Sequence, residues 1–204
     1  MKRSIQWCAA AGLLLAFGGA AAHAIPPVGA KEEKNDATVV AELKNLTPKD
    51  TAFVTGRPPQ PRVLKSEKDA AAYFDDAGLA QLRQQVDFGK QAVLLFAWRG
   101  SGQDKLTAVA GATFVHKAGL TRDLRPHVAA YALPANARWR VVIDWNDAKS
   151  LILNAPVQSV FQTHNREVTI NLANGTRYLT VEPNLDDVIK LIRDNKKDIP
   201  IATE

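Results

Sequence analysis

Beyond its first 24 residues this chain has no cysteine; its only one is Cys8. A segment without thiols forms no disulfide, no thiolate metal site and no cysteine nucleophile. Long apolar runs are also lacking. The stretch around Leu13-Leu14-Leu15-Ala16-Phe17 is interrupted by Gly12, Gly18 and Gly19, and falls short of the roughly 20 residues that a membrane span needs. Blocks of one charge are missing as well. Acids break up the bases at Lys31-Glu32-Glu33-Lys34, Lys65-Ser66-Glu67-Lys68-Asp69 and Arg193-Asp194-Asn195-Lys196-Lys197-Asp198. Without a continuous cationic track, nucleic acid is not an expected partner. Compact catalytic signatures are absent too. No histidines have HExxH spacing, Lys105 stands where a GxGxxG fingerprint needs its third glycine, no P-loop occurs, and Ser101 is not in a GxSxG setting. No internal repeat and no low-complexity tract occurs.

What is present begins with an address. Met1-Lys2-Arg3, the apolar stretch and Ala22-His23-Ala24 have the three parts of a secretory signal peptide, cut before Ile25. Cys8 precedes the apolar region, so it is not placed to carry a lipid. Removing 24 of 204 residues leaves 180, enough for one domain with its own core. Cleavage takes Lys2 and Arg3 from 26 basic residues, leaving 24 against 21 acidic ones. An exported chain of this size without disulfides fits a bacterial envelope better than a eukaryotic secretory route. The expected location is periplasmic or secreted, with no membrane span after cleavage.

The rest reads as a β-rich α+β domain, its sheet mainly antiparallel (sandwich- or open-barrel-like), with two or three short covering helices. Residues 25–61 read as a flexible leader containing the connector Gly56-Arg57-Pro58-Pro59-Gln60-Pro61. Within it, Val39-Val40-Ala41 and Ala52-Phe53-Val54-Thr55 are short strand candidates. The globular part is expected over 62–198, followed by a frayed tail at 199–204. Ser66, with Asp69 three residues on, caps a helix, and Leu79, Leu82 and Val86 continue at helical spacing. Ala92–Trp98 is apolar throughout, which suits a strand buried on both faces. Arg99–Asp104 reads as a loop, 105–116 as a strand region, Val128–Leu133 as a third strand and Trp139–Trp145 as a fourth. Val168–Leu172 and Thr176–Val181 flank Asn174-Gly175, a tight hairpin turn. Asn184 is expected to cap a terminal helix whose stripe is Leu185, Val188, Ile189 and Ile192.

The chemistry-bearing residues are scattered. His116, His127 and His164 fall on different elements, with Asp123 and Asp144 as potential carboxylate partners. Zinc needs three or four convergent ligands, so no metal and no cofactor is expected, and no residue is assigned a catalytic role. Residues 99–104 could form an anion nest, but a strand connection explains them more simply. Asp144 and Asp147 bracket Trp145, which reads first as a polar strand end with a turn; were a sugar held there, the pattern suits binding better than cleavage. The binding candidates are Trp98, Ser101, Asp104, Tyr131, Trp139 and Trp145. Two aromatic residues sharing an exposed face would make a peptide or glycan patch.

The order of three segments adds a resemblance. Val63-Leu64-Lys65-Ser66-Glu67-Lys68-Asp69 comes first, then Val86-Asp87-Phe88-Gly89-Lys90-Gln91-Ala92-Val93-Leu94-Leu95, then Ala132-Leu133-Pro134. Over residues 62–145 this order resembles the small β domain of a bacterial family of protease-complex-stabilising envelope proteins. The chain departs from that family in having Gly100-Ser101-Gly102-Gln103 where a Gly-Gly-Tyr turn is usual, and in lacking a lipidated cysteine. The resemblance implies a binding or stabilising role and transfers no catalytic residue. The expected function is a non-catalytic exported module that binds an envelope protein, a peptide or a glycan. The alternative is a small periplasmic hydrolase using dispersed Asp and His residues.

Overall fold

A computed structural model of the chain describes residues 39–55 and 57–204. The expected signal peptide and the leader up to residue 38 lie outside the described residues. Strand β4 (Gln91–Ser101) organises what is described. Ala92 to Trp98 are all buried. Neighbouring side chains on a strand point to opposite faces. Leu94, Phe96 and Trp98 therefore enter one core, while Val93, Leu95 and Ala97 enter a second. The apolar run is the central strand that the sequence predicted.

The sheet around β4 has five strands. β4 pairs along its length with antiparallel β7 (Leu124–Pro134). Its other edge takes β2 (Val54–Thr55) and β3 (Arg62–Leu64), and β1 (Ala41–Leu43) lies beside β7. Two helices cover the outer core. α1 (Glu67–Ala71) starts as expected, with the Ser66 hydroxyl accepting the Asp69 N–H at 3.2 Å. α2 (Asp76–Gln85) is capped by Asp75. Phe74, Leu79 and Leu82 pack there with Leu64 and Leu95.

The described part of the expected leader belongs to this sheet. Leu43, Leu46 and Ala52 are buried. Pro58, Pro59 and Pro61 are buried too, and the Tyr178 hydroxyl donates to the Pro59 carbonyl at 3.2 Å. Proline brings no N–H that would need a partner. A segment that reads as a connector is in this way able to serve as core filling.

The second sheet has seven strands, ordered from one edge to the other. They are β12 (Ile201–Thr203), β9 (Val157–Gln162), β10 (Glu167–Leu172), β11 (Arg177–Val181), β8 (Arg140–Val142), β6 (Thr113–Lys117) and β5 (Lys105–Val109). Parallel and antiparallel pairs are mixed. One face is buried, with Phe114, Val141, Tyr178, Ile170 and Val160 in register across five strands. Phe96 and Tyr131 of the first sheet cover part of it, with ring centroids 5.5 and 4.9 Å from Phe114. α3 (Trp145–Asn154) and α4 (Asp187–Asp194) supply Leu151, Ile152, Val188 and Ile192 to the same core. Among the described residues, no helix is long and apolar enough to cross a membrane.

Several expected boundaries move. β4 continues through Ser101, because its pairing with β7 extends to Leu124. Residues 105–117 are a hairpin turning through Gly111 and Ala112, both with positive φ. The strand expected over 139–145 ends at Val142. The Asp144 carboxylate accepts the Asp147 N–H at 2.8 Å and starts α3 at Trp145. Asn184 does not cap α4; Asp186 holds that position at φ +68° without a side-chain cap bond. The expected tail forms β12, which pairs in parallel with β9. The hairpin at Asn174-Gly175 is as predicted, with Gly175 at φ +83°.

Candidate functional site

Trp98, Ser101 and Asp104 come together where β4 turns into β5. The Asp104 carboxylate accepts the Trp98 indole N–H at 3.1 Å and the Gly119 N–H at 2.7 Å. His116 lies against it from β6. Its Nδ1 is 3.2 Å from the Asp147 carboxylate of α3, and its Nε2 is 4.0 Å from Asp104. A carboxylate only accepts, so Nδ1 carries the proton. Nε2 then has no hydrogen-bond partner among the described residues. Trp98 is sandwiched by histidines, with His127 stacked at 4.9 Å and His116 edge-on at 6.1 Å. His127 Nε2 donates to the Ser101 carbonyl at 2.7 Å.

Two of the three histidines are thus brought together, with Asp104 and Asp147, which lie far apart in sequence. His164 is not with them. Asp144 acts as the cap of α3. The group is sealed: His116 is 3% exposed and Trp98 2%. Its polar atoms are mostly spent on one another, tying β4, β6 and α3 to the loop at Gly119. That geometry suits a buried strut. Among the described residues, no three His, Cys, Asp or Glu side chains are grouped to hold a metal ion.

The loop over this strut is pinned by Asp123. Its carboxylate accepts from Thr121, from the Gly102 N–H at 3.1 Å and from Arg125 Nε at 2.6 Å. These contacts, Thr121 foremost, hold its pKa down at about 2. A depressed carboxyl favours the folded loop above the ordinary carboxylate range, and that contribution is lost as pH falls through the folded value. An NMR titration of the Asp123 side chain is expected to show its midpoint near pH 2, and Thr121→Ala to move it up. An ordinary midpoint in the parent protein would refute these contacts.

None of the remaining binding candidates is fully exposed. Tyr131 is core, its hydroxyl raised in pKa by burial and then by Glu42. Trp139 and Trp145 are half-buried and pack against the main core. Trp139 also lines a cavity of about 430 Å³ with Val63, Leu133, Asn136 and Asn174.

The surface that sequence reasoning missed is the outer face of the seven-stranded sheet. Thr107, Val115, Val142, Leu179, Thr169, Phe161 and Ala202 stand in register across all seven strands. None is buried. Val115, Val142, Leu179 and Phe161 do not join the core clusters, and Val181, two residues beyond Leu179, is 54% exposed. Arg140, Arg177, Lys105 and Lys117 border the β5–β11 half of the row, and Glu167 the other. No family model and no curated protein matches the chain.

Proposed function

We propose that this chain is a non-catalytic, exported module of the bacterial envelope that holds a protein partner on the outer face of its seven-stranded sheet. The carrying observation is the in-register apolar run Val115, Val142 and Leu179, with Phe161 beyond Thr169 on the same face. Apolar side chains grouped on one face and rimmed by charge mark interaction surfaces. The resemblance to envelope proteins that stabilise a protease complex points to the same kind of role. A peptide or glycan would instead use the cavity beside Trp139. The hydrolase alternative centres on His116, whose imidazole is enclosed by Trp98, Asp104 and Asp147.

The reading is tested by placing a photoreactive residue at Leu179, or at exposed Gln84 of α2 as a control, and irradiating cells. A discrete adduct in the periplasmic fraction from position 179 alone is expected. Leu179→Arg in a protein labelled at position 142 should remove it, while stability changes by no more than about 0.5 kcal/mol, as for ordinary surface substitutions. Equal adducts from both positions, or none from 179, would refute the proposal.

A further inference from the structure

The segment from Lys117 to Arg125, which joins β6 to β7, is built inside out. Polar side chains of a surface loop ordinarily face water; here they face the protein. The Thr121 hydroxyl lies 2.6 Å from that of Ser101, the Asp123 carboxylate accepts the Gly102 N–H, and the Gly119 N–H ends on buried Asp104. The apolar side chains are turned outward. Leu120 is 94% exposed and Leu124 64%. Pro126 and Val128 follow Leu124 at alternate positions of β7, so they share its face, and both are exposed. One exposed leucine is ordinary. Four exposed apolar residues between 120 and 128, leading from a loop pinned by its own polar groups, are not.

Charge follows the same plan. Arg57, whose guanidinium donates to the Gly119 carbonyl at 3.5 Å, and Lys105, Lys117, Arg122 and Arg125 are all exposed at this loop or beside it. Lys105 and Lys117 stand directly opposite each other on β5 and β6, a placement that costs stability for like charges. Of these five cations, Arg125 alone has an acidic partner among the described residues, namely Asp123. The other acid here, Asp104, is buried and already holds two donors.

We infer that this loop docks on an anionic lipid bilayer, with Leu120 and Leu124 entering the acyl boundary and the cations meeting the headgroups. Apolar side chains ringed by cations complement a surface that is apolar inside and anionic at its boundary. The four cations without an acidic partner stand on four separate segments. A headgroup layer accepts cations at any spacing, whereas one protein partner needs carboxylates at matching points. Lys105 and Lys117 border both this loop and the second sheet, but the leucines are distinct from the apolar row, and the inference does not rest on the partner proposal.

The test is flotation of the purified protein with vesicles of equal parts phosphatidylglycerol and phosphatidylcholine, and with vesicles of phosphatidylcholine alone. Parent and variants share one N-terminus, so differences between them report on the loop. Binding to the anionic vesicles is expected to exceed binding to the neutral ones and to weaken as salt is raised. Leu120→Ser should lower the affinity for anionic vesicles by about tenfold, the loss of one inserted leucine. Arg122→Gln should lower it by about fivefold, the loss of one cation at an anionic surface. Both side chains are exposed, so both variants keep the fold. The point of contact is read by NMR with a spin-labelled lipid in phosphatidylglycerol bicelles, where the Leu120 amide should broaden more than that of Gln84 on α2. No binding to anionic vesicles, equal binding to both lipids, undiminished affinity in both variants, or broadening at Gln84 as strong as at Leu120 would overturn the inference and leave the loop to a protein partner.

Discussion

Asp104→Ala is expected to lower the stability of this protein by about 3–5 kcal/mol: it orphans two buried donors at about 1–3 kcal/mol each and opens a void. The donors are the Trp98 indole and the Gly119 amide, both of which end on this carboxylate. Loss of the carboxylate also removes the acidic neighbour of His116 Nε2. For a domain of this size the change corresponds to a melting temperature lower by about 10 °C. Asp104→Asn retains an acceptor oxygen and should cost about 1–2 kcal/mol. Urea unfolding distinguishes the two, with the midpoint falling and the slope unchanged. The alternative is a role in ligand contact. An Asp104→Ala protein as stable as the parent, yet defective in partner capture, would show that Asp104 faces a ligand. The burial of Trp98, Ser101 and Asp104 makes the strut the better account. A Cβ on Gly100 would collide with the Asp104 carboxylate, so a larger residue there would push that carboxylate off its donors.

The fold was legible where one segment carries its own instructions. Ala92–Trp98 announces burial on both faces by composition, Asn174-Gly175 by turn chemistry, and Ser66 with Asp69 by a cap. It was obscured where a strong local signal pointed elsewhere. Val141-Val142-Ile143 reads as the centre of a longer strand, although Asp144 and Asp147 have the spacing of Ser66 and Asp69 and begin a helix. β12 is three residues long, and its partner β9 lies far back in the chain. Nothing in Ile201–Thr203 encodes that pairing. The candidate site divides in the same way. Trp98, Ser101 and Asp104 are sequence neighbours and could be named together. Asp147 joins His116 only because a helix and a strand pack. The outer apolar row was illegible because each member sits on a different strand. Val115, Val142, Leu179 and Phe161 become one surface only when the register is fixed. Read singly, each looks like an ordinary member of an alternating strand.

Glu182→Ala should be about as costly as loss of Asp104, at about 3–5 kcal/mol, since bonds to a charged acceptor contribute about 1.5–3 kcal/mol each and are not additive. Three donors depend on this carboxylate: the amides of Asp186 and Val188 and the side chain of Gln162. Its charge also faces the amide end of α4, where an anion is favoured. The amide of Asp186 would lose the bond that helps to hold φ +68°, so the first turn of α4 should open locally before the domain unfolds. Hydrogen exchange at Val188 is the direct measurement, and it should accelerate more than exchange at Leu94 in the centre of β4. Packing and hydrogen bonding are separable with Glu182→Met, which restores most of the volume and none of the acceptors. If methionine is as damaging as alanine, the orphaned donors account for the loss. If methionine is as stable as the parent, the carboxylate contributes little to holding α4.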